Sequence, residues 1–160
     1  MIKHKFMYTP EDICIKLLND IEFNDNETIL EPCRGSGNFY NNLPSNIKKH
    51  YCEIEEGIDF FNHNPLIKYD KVITNPPYRN NEHTKNICMD FIYKCIEVCD
   101  GEVWLLLNLQ MLNTLTPKRL NIIKEKGFNL CFMKILNIKK WYGRYYWICF
   151  SNQKNATIDF

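Results

Sequence analysis

Residues 75 to 78 read Asn-Pro-Pro-Tyr, directly after the apolar run Tyr-Asp-Lys-Val-Ile-Thr. Neither proline can donate a backbone hydrogen bond, and each pushes the residue before it into an extended conformation. The result is a stiff turn rich in acceptors. The side-chain oxygen of Asn75 is one, and the backbone carbonyl of Pro76, held extended by Pro77, is another. Two such acceptors suit an amine on an aromatic ring, whose lone pair is delocalised and therefore poorly nucleophilic. Holding both N–H bonds off the ring plane aims that lone pair at an electrophile such as a transferable methyl group. Such a reaction rests on alignment rather than on a strong base. Tyr78 adds a ring on which a planar base could stack. The alternative is a plain proline turn, for which asparagine is a common first residue.

A second cluster lies upstream. Residues 31 to 39, Glu-Pro-Cys-Arg-Gly-Ser-Gly-Asn-Phe, place Gly35 and Gly37 at the end of a short apolar run, where a backbone can approach a ligand closely. Tyr40 stands where a dinucleotide fingerprint needs a third glycine, and no Gly-Lys-Ser/Thr follows. The loop therefore suits a nucleoside-type ligand without a pyrophosphate. Glu53, read as ending the next strand, can accept both hydroxyls of a ribose, with Glu55 of the same strand parity as the alternative. Asp59 can accept from an exocyclic amine, and Phe60 offers a ring face beside it.

The elements that must position these residues alternate. The spacing predicts a helix over 10–21, with Pro10 in its first turn, and strands over 27–33 and 50–54. A short third strand is expected over 57–61 and another strand over 69–74. A helix follows over 84–98, carrying Ile87, Phe91, Ile92, Cys95 and Ile96 on one side. The run 102–109 is nearly all apolar, as expected of a central parallel strand covered on both faces. A helix over 116–128, stopped by Gly127, precedes strands over 129–136 and 145–151. Such alternation implies an open α/β sheet in one domain spanning 1–160. Ligands bind such sheets at the carboxyl ends of the strands, where strand order reverses. Both unusual motifs fall at such ends, which favours the functional reading of each.

Formal net charge is +1, so a nucleic-acid substrate needs a local basic patch. Lys134, Lys139, Lys140 and Arg144 interleave with Trp141, Tyr142, Tyr145 and Tyr146, the make-up of a single-strand platform. The alternative is that half of these aromatics face the core. Residues 79–86 read as a loop over the base pocket, with His83 a loop residue rather than an acid or base. Eight cysteines lack a CxxC pair and an apolar leader, so reduced thiols are expected rather than disulfides or a metal site. No apolar run is long enough for a membrane span.

In order and spacing, these motifs resemble those of class I, Rossmann-like S-adenosylmethionine-dependent methyltransferases acting on amino groups. The chain looks like an adenine-N6 DNA methyltransferase whose cofactor motifs precede the catalytic tetrapeptide. The resemblance implies S-adenosyl-L-methionine as cofactor and S-adenosyl-L-homocysteine as product. It implies that Tyr8, Thr9 and Pro10 contact the methionine end of the cofactor. Glu31, Pro32, Gly35, Gly37 and Phe39 form the first loop, with Glu31 near the methionine amino group. Glu53 takes the ribose, Asp59 and Phe60 the adenine, and Asn75, Pro76, Pro77 and Tyr78 the target amine, with Asn75 also against the cofactor. Tyr78, Lys139, Lys140, Trp141 and Arg144 are the expected substrate contacts. The implied fold is a three-layer, mostly parallel sheet with a C-terminal antiparallel strand. Few residues join Glu53 to Asp59, so the helix between the second and third strands is expected to be missing. No target-recognition domain is expected after residue 150. Similar tetrapeptides occur in enzymes that methylate RNA adenine or protein glutamine, and these are the alternative substrates. An inactive scaffold or binding subunit is the reading of a different class. Implied partners are DNA or RNA, and a second copy of the chain or a specificity-providing protein.

Overall fold

The computed structural model describes residues 8–78, 86–139 and 141–154. In chain order the elements are α1 (Glu11–Leu18), β1 (Thr28–Glu31), α2 (Asn38–Asn42), β2 (Lys48–Tyr51) and β3 (Tyr69–Thr74). They continue with α3 (Cys88–Val98), β4 (Cys99–Asn108), α4 (Leu109–Leu112), α5 (Pro117–Glu125), β5 (Asn129–Leu136) and β6 (Tyr145–Ser151). The six strands form one sheet in the order β2-β1-β3-β4-β6-β5. The pairs β1–β2, β1–β3 and β3–β4 are parallel, and β6 is antiparallel to both β4 and β5. Strand order reverses at β1, which is flanked by β2 on one side and β3 on the other. The loops after β1 and β3 therefore open into the same crevice.

Why the sheet is covered on both faces follows from the pleat. On β4, Val103, Leu105 and Leu107 point into a core shared with Phe91, Ile92 and Ile96 of α3 and Ile123 of α5. Trp104 and Leu106 point the other way, into a core shared with Cys14, Leu17 and Leu18 of α1 and Phe39 of α2. On β6, Ile148 and Phe150 join the first core and Trp147 and Cys149 the second. Two cores on one sheet make three layers. Each fully buried leucine or isoleucine contributes about 1.5–3 kcal/mol, so β4 anchors both layers at once.

Several boundaries differ from the sequence expectation, each for a local reason. Residues 57–61 are not a strand. Asp59 accepts from the Phe61 amide at 2.9 Å and caps a 3-10 turn over Phe60–Asn62 instead. The second strand stops at Tyr51, and Glu53 caps another 3-10 turn, Ile54–Glu56, by accepting from the Glu55 amide. Residues 52–68 thus hold two 3-10 turns and no α-helix, as the short spacing from Glu53 to Asp59 implied. The run 102–109 does not stay extended to its end. Asn108 accepts from the Met111 amide at 2.9 Å and starts α4, an unexpected turn of helix. The first helix ends at Leu18, β1 covers Thr28–Glu31, α3 begins at Cys88 and α5 ends at Glu125. Residues 79–85, including His83, and Lys140 lie outside the described residues. Among the described residues no helix is long and apolar enough to cross a membrane.

Gly101 sits where β3 and β4 shift register between Tyr69 and Lys71. A Cβ at Gly101 would lie 2.2 Å from the Asp70 carbonyl oxygen. Gly101→Ala should therefore lower unfolding free energy by about 1–3 kcal/mol, read from urea denaturation. Unchanged stability would mean that the two strands separate there at no cost.

Candidate functional site

The loops at the carboxyl ends of β1, β2 and β3 enclose a cavity of about 430 Å³. That volume suits a nucleoside-sized ligand. Glu31, Pro32 and Gly35 line it from the end of β1, and Glu53, Asp59 and Phe60 from the two 3-10 turns. Asn75, Pro76, Pro77 and Tyr78 close it after β3. Tyr8 and Thr9 reach it from the N-terminal segment, Phe39 from α2 and Trp141 from the β5–β6 loop. Three groups of motifs, far apart in sequence, thus share one wall.

Four described residues expected at the site are not on that wall. The Pro10 carbonyl accepts from the Ile13 and Cys14 amides and starts α1. Gly37, at φ 81°, turns the chain into α2. Lys139 and Arg144 are exposed and off the cavity. The basic–aromatic run is divided rather than continuous. Lys134 pairs with Asp20 at 2.9 Å, while Tyr145 and Tyr146 are buried in the two cores. Among the described residues of that run only Trp141 lines the cavity, its ring centroid 4.8 Å from that of Tyr145. The wall also includes Cys33, Ile54, Ile58, Phe61, Phe91 and Gln110, which sequence reasoning did not single out. Ile54, Ile58 and Phe61 are partly exposed apolar residues flanking Glu53 and Asp59. That flanking was the one available signal, and helical or strand periodicity does not carry it.

Glu53 performs a structural task at the site. Its Oε2 accepts from the Gly35 amide at 2.6 Å and its Oε1 from the Glu55 amide at 3.1 Å. One carboxylate so fixes the glycine loop against the turn after β2, and each oxygen retains a further lone pair. Glu53 is buried and Glu55, the alternative acid, is exposed, and both line the cavity. Gly35 has φ 52°, and a Cβ there would lie 2.7 Å from the Tyr8 ring. The Tyr8 ring therefore covers the loop only because residue 35 is glycine. Asp59 has both oxygens engaged, by the Phe61 amide and by Asn62 Nδ2 at 3.2 Å. Phe60 packs on Phe91 at 4.8 Å between centroids.

Glu31 is only 2% exposed, and its Oε2 accepts from the Tyr40 amide at 2.9 Å. Burial pushes its carboxyl up from 4.5 to about 8, against the opposing pull of the Tyr40 amide and Arg34. Asn75 is held differently. Its Nδ2 donates to Thr9 Oγ1 at 3.1 Å, while its Oδ1 is buried with no hydrogen-bond partner among the described residues. Such an acceptor costs about 1–3 kcal/mol while unpaired, and a ligand donor can recover that energy. Tyr78 packs against the first core, and burial raises the titration of its hydroxyl. None of the eight cysteines is in a disulfide, and no group of three or more His, Cys, Asp or Glu gathers as for a metal among the described residues.

The sheet order, the two helical layers and the final antiparallel strand are those of the class I, Rossmann-like methyltransferase fold. A protein from Listeria monocytogenes assigned to the class I S-adenosylmethionine-dependent methyltransferases superimposes with TM-score 0.69. Identity is 17%, over 99% of this chain and 65% of that one. A protein from Vibrio vulnificus assigned as the modification subunit of a type I restriction enzyme matches with TM-score 0.66 and 14% identity, over 97% of this chain and 46% of that one. The E. cuniculi Mtq2–Trm112 complex, responsible for methylation of the translation termination factor eRF1, matches with TM-score 0.59 and 16% identity, over 90% and 96%. The chain spans less than two thirds of the Listeria and Vibrio proteins. No family model and no curated protein matches the sequence.

The raised Glu31 carboxyl generates a pH prediction with a definite sign. Between 4.5 and about 8 the folded carboxyl keeps a proton that the unfolded chain has lost. Stability linked to Glu31 is therefore full below 4.5 and falls as pH rises to about 8. Glu31→Gln should remove that decline, so thermal melts of the two proteins should diverge across this window in favour of the variant. Parallel melting curves at every pH would contradict a buried, protonated Glu31.

Proposed function

We propose that the protein is an S-adenosylmethionine-dependent methyltransferase acting on the N6 amino group of adenine in DNA. The unpaired, buried Oδ1 of Asn75 on the cavity wall is the observation that carries this reading. An acceptor left without a donor in the free protein fits a site that receives an amine. The cavity's own residues fit the cofactor on chemical grounds. Glu31 offers a buried carboxyl for an ammonium group, the Gly35 loop a close backbone, and Glu53 free lone pairs for ribose hydroxyls. When bound, the cofactor supplies an electrophilic methyl group on a sulfonium.

The chain's residues do the rest by position. Asn75 Oδ1 and the Pro76 carbonyl take the two N–H bonds of the target amine, which turns its lone pair out of the ring plane. No side chain need remove a proton first, because the amine becomes acidic only after it is methylated. Tyr78 and Trp141 offer aromatic surface to a base taken out of its stack. Lys139 and Arg144 lie on either side of Trp141 in sequence and supply positive charge for a phosphate backbone. The Thr-Pro pair at residues 9–10 and the likeness to a restriction-modification subunit support DNA over other carriers of an amine. The domain is then the catalytic unit, with target choice supplied from outside it.

The test is incubation with labelled S-adenosylmethionine and separate pools of double-stranded DNA, single-stranded DNA, RNA and protein, followed by mass spectrometry. N6-methyladenine in DNA is expected, most in single-stranded or distorted sites, where extruding the base costs least. Label confined to RNA or to glutamine would replace DNA as the substrate. Label in no pool, with cofactor bound, would select a scaffold or partner-dependent subunit.

A further inference from the structure

An amide side chain carries no charge to orient it, and its two flipped forms have nearly the same shape. Something must hold the Asn75 amide in place where it borders the cavity. Among the described residues the one side-chain partner of its Nδ2 is Thr9 Oγ1 at 3.1 Å, on a segment 66 residues away. With the NH2 group engaged there, Oδ1 is the end left without a partner. Thr9 is itself held firmly. It is 6% exposed, and its carbonyl accepts from Asn38 Nδ2 at 2.7 Å and from Cys14 Sγ at 3.9 Å. Asn38 is the first residue of α2, directly after the glycine loop, and Cys14 lies within α1. Thr9 is therefore pinned by two helices and in turn holds the amide at the end of β3.

We propose that Thr9 is a positioning residue that anchors the Asn75 side chain at the end of β3, where its oxygen can accept the target amine. This rests on the methyltransferase reading of Asn75 and assigns Thr9 a role in the reaction rather than only in cofactor contact. Because Asn38 seats Thr9, the glycine loop and the amine acceptor share one hydrogen-bonded support. A cofactor-side loop set in place therefore also sets the acceptor.

The test compares Thr9→Val, which keeps the shape and removes the hydroxyl, with Thr9→Ser, which keeps the hydroxyl. In the unliganded protein, hydrogen exchange of the Asn75 side-chain amide is read by nuclear magnetic resonance, its signals assigned by their loss in Asn75→Ala. Exchange should quicken by about tenfold or more in Thr9→Val and stay slow in Thr9→Ser, since only the former deletes the bond. Single-turnover methyl transfer should fall by about 10²-fold in Thr9→Val, as for a reacting geometry displaced by about 1 Å, and by less than about threefold in Thr9→Ser. Affinity for S-adenosyl-L-homocysteine should fall much less than the transfer rate in Thr9→Val and stay unchanged in Thr9→Ser. In an Asn75→Ala background, Thr9→Val should cost nothing further, because residues acting as one unit are not additive. Unaltered amide exchange in Thr9→Val would overturn the proposal, and this arm needs no enzymatic activity. A full additional loss in the Asn75→Ala background, or a loss of cofactor affinity equal to the loss of rate, would also overturn it. If Asn75→Ala alone leaves methyl transfer intact, the proposed reaction fails instead, which the exchange result distinguishes.

Discussion

A buried carbonyl with nothing to accept is the constraint on which the carboxyl end of this sheet depends. Leaving Asn75 Oδ1 unpaired costs about 1–3 kcal/mol, so the surroundings must prevent the amide from turning toward another partner. They do so by exclusion. Pro76 and Pro77 have no N–H to offer, and Thr9 already occupies the other end of the amide. β3 delivers Asn75 to that point because Val72, Ile73 and Thr74 are buried on both faces of the sheet, leaving its register no room to slip. The two cores thus act on the site through the strand, and the prolines convert a strand end into a rigid acceptor.

The opposite side of the cavity is organised by carboxylates rather than by an orphaned amide. Glu53 ties the Gly35 amide to the turn after β2, so the loop that approaches a ligand is held by the residue read as holding its sugar. Arg34 leaves the same loop, lies 4.2 Å over the Tyr51 ring and pairs with Glu56. Glu31 and Glu53 are both buried, and the neighbouring Glu53 adds to the cost of ionising Glu31. A cavity with this acidic character favours a cationic ligand, which a whole-chain charge of +1 conceals.

Much of this was legible from residue types. The Tyr69–Thr74 strand with its proline stop, the apolar run of β4 and the Leu-rich alternation across both cores follow from period and composition alone. Residues 31, 35, 53, 59 and 75–78, singled out because a nucleoside and an amine each demand particular groups at strand ends, line one cavity. What escaped was set by single side-chain hydrogen bonds. Asp59 capping its own turn removed an expected strand, and Asn108 capping Met111 turned the end of an apolar run into α4. The Thr9–Asn75 bond crosses the whole first half of the chain, and no local pattern encodes it. The basic–aromatic run followed its alternative reading, in which half of its aromatics face the core. Its residues alternate in sequence, but the pleat sends Tyr145 and Tyr146 into opposite cores, and Asp20 neutralises Lys134.

The measurement that bears most directly on the amine acceptor is the single-turnover rate of methyl transfer in Asn75→Ala beside its affinity for S-adenosyl-L-homocysteine. Removing one preorganised contact should lower the rate by about 10²–10³-fold while affinity changes little. A folded Asn75→Ala protein that transfers methyl groups at the unsubstituted rate would show that the Asn-Pro-Pro-Tyr turn holds no reacting amine, and the account built on it would fail.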